Sequence, residues 1–553
     1  MSERVLFQNG RILTLDPLGT EAEWMLASGG KIEAVGKGAI GDLGAITKTV
    51  DLEGKTVIPS FLDAHLHLRL AAETYFGLDL SDSHGVEAYK TKILEYASSH
   101  PDASIIRGFG WSERDFGLLG PEKRILDEIC PDRPIMLSAE TGHALWVNSK
   151  TLEVAGIDKN TEDIGRGRIQ RYADGEPSGT VQEDCQAMVT QKIPDYSVEE
   201  YKEAFLHHIA MLNRLGITAA FDAWLVPGSN AVAAFRELAK EGRLTARIRG
   251  AYVVVPTSPL QEQMDAIARS LPQDACGEAF AMTTAKFFLD GVVESSTAYL
   301  SEPYLKSDTG DPAYCGIPVW EPGKLNEAVA AAMRQGLQVE THCIGDAAVS
   351  EALDAFAYAA GLGLAGNRNK VTHIELISER DTARLAELAI VPLLNPYWAE
   401  VDDIYFELLE TVGRERMDRT WPVGSIIAQG VVCAGGSDYP ITELPYPLTA
   451  IEVGMTRTVS KYYHPWVADF GDKRCLRPLG PDAEKASLAD MLKMFTSGAA
   501  YCMFLEDRAG SLEPGKSADF IVLDKDITQT APEEVGGIQV LATYFQGEAV
   551  YSK

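Results

Sequence analysis

The stretch Val57-Ile58-Pro59-Ser60-Phe61-Leu62-Asp63-Ala64-His65-Leu66-His67 decides how the rest of the chain is interpreted. It is an apolar run with β propensity that ends in a His-x-His pair. Residues i and i+2 of a strand point to the same side, so His65 and His67 present two imidazoles to one point. Neutral imidazole is a common ligand of zinc and related metals. Taken alone, the stretch is also compatible with two histidines that end an ordinary strand.

Size and charge exclude several classes of protein. The chain has 553 residues, 46% of them hydrophobic, which is enough for a large core and more than one domain. Its net charge of -30 disfavours nucleic acid and anionic membranes as partners. No secretory signal pattern and no run of membrane-spanning length is found. We therefore expect a cytoplasmic protein that acts on a small molecule, and a homodimer is compatible with this.

The cysteines indicate reduced thiols. All eight are scattered along the chain, and none forms a Cys-x-x-Cys pair. This pattern is typical of buried thiols in a reducing compartment and argues against a zinc finger or a disulfide framework.

Both ends of the chain are composed of short β-like runs and turns. Near the N-terminus these runs are Val5–Phe7, Arg11–Leu15, Lys31–Val35 and Thr56–Ile58, and near the C-terminus they are Ala518–Leu523, Val540–Tyr544 and Ala549–Tyr551. We predict that residues 1–58 and 497–553 together form a β-sandwich beside a catalytic domain of residues 59–496.

Strands and helices alternate through most of the catalytic domain. After the strand that ends at His67, the candidates are Ile217–Asp222, Ile248–Val255, Thr284–Asp290, Gln338–Gly345, Lys370–Ile377, Ile390–Asn395 and Val431–Asp438. Eight such units predict an α/β protein with a (β/α)8 TIM-like barrel. Residues 69–197 do not follow the alternation. We interpret them as an inserted subdomain after the first strand, above the mouth of the barrel.

Metal-binding residue types recur where these strands end. His342 ends the fifth strand, His373 lies on the sixth and Asp438 ends the eighth. Catalytic groups of such barrels lie at the carboxyl ends of the strands. The chain has only ten histidines, and four of them lie at or near the predicted ends of barrel strands. Together with the aspartate, they predict a shared site.

Lys286 is an unusual residue for the fourth strand. Burial among apolar neighbours favours its neutral amine, which can react with carbon dioxide. The resulting carbamate could bridge two metal ions. The alternative is a lysine that reaches the barrel rim or pairs with Asp290.

The pattern resembles the amidohydrolase superfamily, and within it the family 3 branch that includes N-substituted formamide deformylases. The resemblance covers nearly the whole chain and rests on these motifs: Val57–His67, Gly108–Trp111, Gly142–Ser149, Lys286–Gly291, His342–Asp346, Gly436–Pro440 and Gly510–Leu523. It implies a barrel with a flanking β-sandwich and one or two divalent ions, usually zinc. The implied metal and catalytic residues are His65, His67, Lys286, His342, His373 and Asp438.

This chemistry predicts a hydrolase. His65 and His67 would hold one ion and His342 and His373 another, with carbamylated Lys286 between them. Such ions lower the pKa of a bound water to roughly 7 and polarise carbonyl groups. Asp438 would serve as general base and return the proton to the leaving amine. His143, in the insertion, would donate a hydrogen bond to the carbonyl oxygen.

The reaction and the substrate stay open at this point. We favour cleavage of a non-peptide C–N bond, as in an N-acyl or N-formyl amine. Deaminase, esterase or lactonase, and isomerase or lyase chemistry use similar centres, and a non-catalytic binding protein is a further alternative. Aromatic residues near the expected pocket favour an apolar or aromatic substrate, although they could equally belong to the core: Trp111, Trp146, Trp224, Tyr397, Trp398 and Tyr439. Arg107 or Arg114 could bind a substrate carboxylate.

Overall fold

The structure is a computed structural model and describes residues 3–117, 120–165, 167–307, 309–464 and 476–553. The chain opens with β1 (Arg4–Leu13), β2 (Glu21–Ser28), β3 (Lys31–Gly36), β4 (Lys48–Asp51) and β5 (Thr56–Pro59). The next segment contains β6 (Phe61–Leu66), α1 (Leu68–Phe76), β7 (Leu78–Asp79), α2 (Val86–Ser99), β8 (Ile106–Trp111), α3 (Lys123–Ile129), β9 (Ile135–Ala139), β10 (Ala144–Val147), α4 (Ser149–Ala155), β11 (Arg168–Arg171), β12 (Pro177–Gln182) and α5 (Gln186–Thr190).

Helices and strands then alternate. They are α6 (Val198–Arg214), β13 (Ile217–Leu225), α7 (Asn230–Lys240), β14 (Arg247–Val254), α8 (Leu260–Ser270), β15 (Ala275–Cys276), β16 (Phe280–Phe288), α9 (Pro322–Arg334), β17 (Gln338–Cys343), α10 (Asp346–Gly361), β18 (Lys370–His373), α11 (Glu379–Glu387), β19 (Val391–Leu394), α12 (Asp403–Val412), α13 (Arg414–Met417), α14 (Val423–Ile427) and β20 (Ala434–Gly435). The chain finishes with α15 (Pro447–Thr456), α16 (Leu488–Met494), α17 (Ser497–Cys502), β21 (Phe520–Leu523), β22 (Val540–Phe545) and β23 (Glu548–Ser552).

The eight strands on the main path of the central sheet form a parallel barrel. Their order is β6, β13, β14, β16, β17, β18, β19, β20. The first and last strands meet where the Asp438 N–H donates to the His65 carbonyl at 2.8 Å and the His67 N–H donates to the Tyr439 carbonyl at 2.7 Å. The predicted (β/α)8 architecture is therefore confirmed, and its seam joins two segments predicted to carry the site.

Both ends of the chain pair in a second sheet. Its order is β23, β22, β21, β5, β1, β2, β3, with β4 alongside β1. Strand β21 pairs antiparallel with β5, so that Phe520 lies opposite Pro59, immediately before the first barrel strand. This pairing fixes where the His-x-His strand enters the barrel.

One prediction about this sheet was wrong. The runs Val5–Phe7 and Arg11–Leu15 were expected to be separate, but a single strand, β1, extends from Arg4 to Leu13. Asn9 adopts a left-handed conformation with φ 57°, and the pairing register with β2 shifts there. A bulge absorbs the turn-forming residues without ending the strand.

The insertion after β6 has its own sheet, ordered β11, β12, β10, β9, β8, β7. Trp111 and Trp146 are both 0% exposed within the hydrophobic core of this subdomain. Their indole N–H groups donate to the carbonyls of Leu137 and Glu122. Of the two alternatives for these tryptophans, pocket wall or core, the structure supports the core, because their rings fill the interior of the insertion.

Arg247 connects the barrel to the terminal sheet. It lies on β14, and its guanidinium forms a fully buried ion pair with Asp519, just before β21. The same guanidinium donates to Ser517 Oγ at 2.9 Å, and Asp519 accepts the Gln546 N–H at 2.7 Å. Every charge in this contact has a partner, so loss of either residue would leave the other charge buried alone.

Within the described part of the chain, no helix is both long and apolar enough to cross a membrane. Seven of the cysteines are described, all as free thiols, and five of these are buried. The eighth, Cys475, lies outside the described residues.

Glu452, on α15, gives the stability of the fold a pH dependence. Burial raises the pKa of this carboxyl to about 7, although it accepts the Gly536 N–H at 2.8 Å. Because the folded pKa exceeds the unfolded value, its contribution is present at low pH and is lost as the pH rises through 7. Glu452→Gln removes this loss. We expect the variant to gain up to about 3 kcal/mol in unfolding free energy over the parent between pH 5 and 8.

Denaturant unfolding of both proteins at pH 5 and pH 8 measures this difference. An equal stability gap at the two pH values would contradict the assignment.

Candidate metal centre at the carboxyl end of the barrel

Four predicted histidines meet at the carboxyl end of the barrel. The ring centroids of His65 and His67 are 5.1 Å apart, those of His65 and His373 are 5.2 Å apart, and those of His342 and His373 are 4.7 Å apart. All four side chains are buried. The structure therefore brings together residues that are up to 308 positions apart, from His65 to His373, as expected from strand ends of one barrel.

Asp438 faces the same point from the turn after β20. Its Oδ1 atom lies 3.1 Å from Nε2 of His65 and 2.9 Å from Nε2 of His67. Although burial acts in the opposite direction, the charges of these two histidines hold the pKa of Asp438 well below its usual range. Asp438 has a φ of 61°, a left-handed conformation of the kind that clusters at functional sites.

These groups fit a divalent metal ion. One ligand atom each from His65, His373 and Asp438 lies within 4.8 Å of the others. Three buried atoms have no hydrogen-bond partner of acceptable geometry: His65 Nε2, His67 Nδ1 and Asp438 Oδ1. An imidazole nitrogen and a carboxylate oxygen that face each other in a dry interior are stabilised by a cation between them. The donor set is therefore that of a metal centre.

Further polar residues orient the histidines. His373 Nδ1 lies 2.8 Å from Asn395 Oδ1, and His342 Nδ1 lies 3.1 Å from Asp290 Oδ1. An oxygen that accepts from Nδ1–H fixes the tautomer and leaves Nε2 on the opposite side of the ring. Asp290 also accepts the N–H groups of Ile344 and Gly345, which anchors the turn after β17.

Lys286 lies in the barrel interior, beneath the histidines. Its Nζ atom is 2.9 Å from Oε1 of Glu340, and both side chains are fully buried. The same Glu340 oxygen is 2.7 Å from Nδ1 of His65. The partner of Lys286 is therefore Glu340 and not Asp290. Glu340 was missed from the sequence, although it lies two residues before His342 on the same side of the strand.

His143 reaches the site from the insertion. Its ring centroid is 5.8 Å from that of His342, and its Nδ1 atom lies 3.2 and 3.1 Å from the two Glu183 carboxylate oxygens. Glu183 was also missed, because it follows β12 in a segment with no recognisable motif. The structure thus places His143 where the sequence predicts a group from the insertion.

The wall around the histidines is partly aromatic. Trp398 stacks on His373 with centroids 5.8 Å apart, and Phe288 stacks on His342 at 4.9 Å. Trp224 contacts Phe288. In contrast, Tyr397 and Tyr439 are buried in the main core.

The insertion brings the acidic residue Glu113 close to Thr141, His143 and Glu183. Burial raises the pKa of Glu113 to about 7. The two arginines that were considered as binders of a substrate carboxylate both have contacts within the chain. Arg114 forms an ion pair with Glu140 at 3.2 Å, and the guanidinium of Arg107 lies 4.5 Å from the centroid of the Tyr196 ring.

Known proteins resemble the chain over almost its full length. It is 26% identical to the N-substituted formamide deformylase of Arthrobacter pascens, covering 99% of this chain and 98% of that protein. It is 29% identical to the protein LONG AFTER FAR-RED 3 of Arabidopsis thaliana, covering 99% and 91%. The crystal structure of an uncharacterized metal-dependent hydrolase from Pyrococcus furiosus superposes with a TM-score of 0.71 at 25% identity, covering 95% of this chain and 99% of that one.

A protein-family model matches most of the chain, including the residues of the site. The model of the amidohydrolase family matches residues 48–551, from the last strands before the barrel to the final strand of the terminal sheet. This range includes every residue of the centre described above. Family, fold and donor set support a hydrolase that depends on a divalent metal. The chain belongs to the amidohydrolase family.

Proposed function

We propose that this protein hydrolyses a non-peptide C–N bond of a small molecule in the cytoplasm, with N-formyl and N-acyl amines as the substrate class. The proposal rests on one observation. The side chains of His65, His373 and Asp438 are buried and lie close together at the carboxyl end of the barrel. The deformylase relative, which matches 99% of the chain, supports the bond type.

The residues that would hold the metal are His65, His67, His373 and Asp438, with His342 and Lys286 completing the set if a second ion is present. Zinc suits these nitrogen and oxygen donors. When bound, the metal supplies a Lewis acid for the substrate carbonyl and lowers the pKa of water.

Asp438 is proposed to move the proton of the reaction. Its carboxylate stays ionised at neutral pH, because its pKa is held well below the usual range. It can therefore take a proton from the attacking water and return it to the nitrogen of the leaving amine.

His143 is proposed to stabilise the carbonyl oxygen as negative charge develops. Glu183 accepts from Nδ1–H, and in the doubly protonated ring that this role requires, Nε2–H is a donor on the opposite side. We expect His143→Ala to lower kcat about 100-fold with a smaller change in KM. The matched control is His100→Ala on the exposed end of α2, which should leave both constants unchanged. Equal losses in His143→Ala and the control would contradict this role.

The aromatic wall is proposed to bind the apolar part of the substrate and to exclude water; it consists of Trp398, Phe288 and Trp224. Two of these rings stack on predicted metal ligands, so they border the reacting centre directly. This favours an aromatic or aliphatic substituent on the amide.

Lys286 is proposed to carry a carbamate. A carbamylated lysine keeps one N–H, which can still donate to Glu340 from the observed position. Protein incubated with ¹³C-bicarbonate and zinc should show one carbamate resonance that is absent from Lys286→Met. A spectrum with no carbamate signal in the zinc-loaded parent would exclude it and leave a one-ion centre.

A substrate panel tests the reaction type. Zinc-loaded protein is assayed with N-formyl and N-acyl benzylamines, aromatic esters, lactones and amino-substituted heterocycles. We expect release of formate or carboxylate from the amides with kcat/KM at least tenfold above that for the other classes. Ammonia release from the heterocycles alone would instead identify a deaminase.

A further inference from the structure

A row of three charged side chains crosses the interior of the barrel one layer below the histidines. Lys286 on β16 pairs in register with Glu340 on β17, and Glu340 pairs in register with Lys370 on β18. In the next layer, Phe288 is in register with His342. The fold therefore places the lysine, glutamate and lysine side by side beneath the predicted ligands.

Glu340 contacts three groups: its Oε1 accepts hydrogen bonds from His65 and Lys286, and its Oε2 forms an ion pair with Lys370. Oε1 lies 2.7 Å from His65 Nδ1 and 2.9 Å from Lys286 Nζ, and Oε2 lies 2.5 Å from Lys370 Nζ. Glu340, Lys286 and Lys370 are all 0% exposed. Lys370 Nζ also lies 3.3 Å from the centroid of the Phe221 ring, a cation–π contact.

We infer that Glu340 is the positioning residue of the metal centre and that Lys370 is its counter-ion. Glu340 accepts from His65 Nδ1–H and so directs Nε2 of His65 towards Asp438. The inference rests on the proposed metal-dependent function.

The arrangement has a physical reason. A buried carboxylate is costly unless it is paired, and Lys370 pairs it from the side away from His65. This leaves Oε1 for His65 and Lys286, whose positions it sets at the same time. Polar groups that orient metal-binding histidines typically change metal affinity 10–100-fold when they are removed.

Two charge-matched double variants test this role. Both Glu340→Gln/Lys370→Met and Glu340→Leu/Lys370→Met remove one buried negative and one buried positive charge. Only glutamine can accept from His65 Nδ1–H. The zinc dissociation constant is measured by competition with a chromophoric chelator, and the unfolding midpoint is measured on the same samples.

We expect the glutamine variant to bind zinc within about threefold of the parent and the leucine variant to bind it 10–100-fold more weakly. Equal zinc affinity in the two folded double variants would overturn the inference. Turnover of N-formyl amines by the parent is a separate readout: a parent that binds zinc with this affinity pattern and cleaves no amide disproves the proposed function and leaves the role of Glu340 intact.

A second measurement requires no substitution at Glu340. ¹⁵N spectra of histidine-labelled, zinc-loaded parent, with the His65 signals assigned by their loss in His65→Gln, show which ring nitrogen is ligated. We expect a protonated Nδ1 and a ligated Nε2. Ligation of His65 through Nδ1 would overturn the inference even if the leucine variant does not fold.

Discussion

Asp438→Asn is expected to lower kcat by a factor of 10² to 10⁴, the usual contribution of a general acid–base group. Asparagine keeps the size and shape of the side chain but cannot take the proton. It also replaces an anionic oxygen that lies 3.1 and 2.9 Å from two imidazole nitrogens with a neutral amide. Steady-state kinetics with an N-formyl amine, together with zinc content, measures the effect.

The metal content separates two roles of Asp438. Loss of kcat with zinc retained identifies it mainly as the proton carrier, whereas parallel loss of both identifies it mainly as a ligand. Asp482→Asn, whose parent side chain is 88% exposed, is the control and should behave as the parent. More than a tenth of parental kcat in Asp438→Asn would contradict both roles.

Asp519→Ala is expected to lower the free energy of unfolding by about 3–5 kcal/mol. The substitution leaves the Arg247 guanidinium buried beneath the terminal sheet without its carboxylate. It also removes the acceptor of the Gln546 N–H. Urea unfolding of the zinc-loaded protein measures the loss.

Glu21→Gln is the control for this prediction. Glu21 pairs with Arg11 at 2.9 Å, but both side chains are more than a third accessible to solvent, at 45% and 34%. Exposed pairs contribute at most about 1 kcal/mol, so its loss should be small. Similar effects of Glu21→Gln and Asp519→Ala would show that the buried pair does not join the two parts of the fold.

The barrel and its histidines could be predicted because each rests on a local pattern. The His65-x-His67 spacing follows from the two-residue period of a strand, and His342, His373 and Asp438 follow apolar runs with β propensity. Strand ends of one parallel barrel must meet, so these separate signals converge on one site. The placement of His143 also follows, since an insertion after the first strand has to pass over the mouth.

The residues that support the site could not be predicted in the same way. Glu340 and Lys370 owe their contact to the register between neighbouring strands, which a single sequence does not specify. Asn395 and Glu183 each orient a histidine that lies 22 or 40 positions away. Composition also cannot distinguish Trp146, which fills the core of the insertion, from Trp398, which stacks on His373.

The most direct test of the account is the zinc content per chain, measured by elemental mass spectrometry on protein prepared without chelators. The account predicts one or two divalent ions in the parent, and loss of bound ion in His65→Ala and in His373→Ala. Both variants should fold with the parental circular dichroism spectrum. A parent that binds no divalent ion even after reconstitution, or a His65→Ala protein that keeps its full complement, would contradict a metal centre at this end of the barrel.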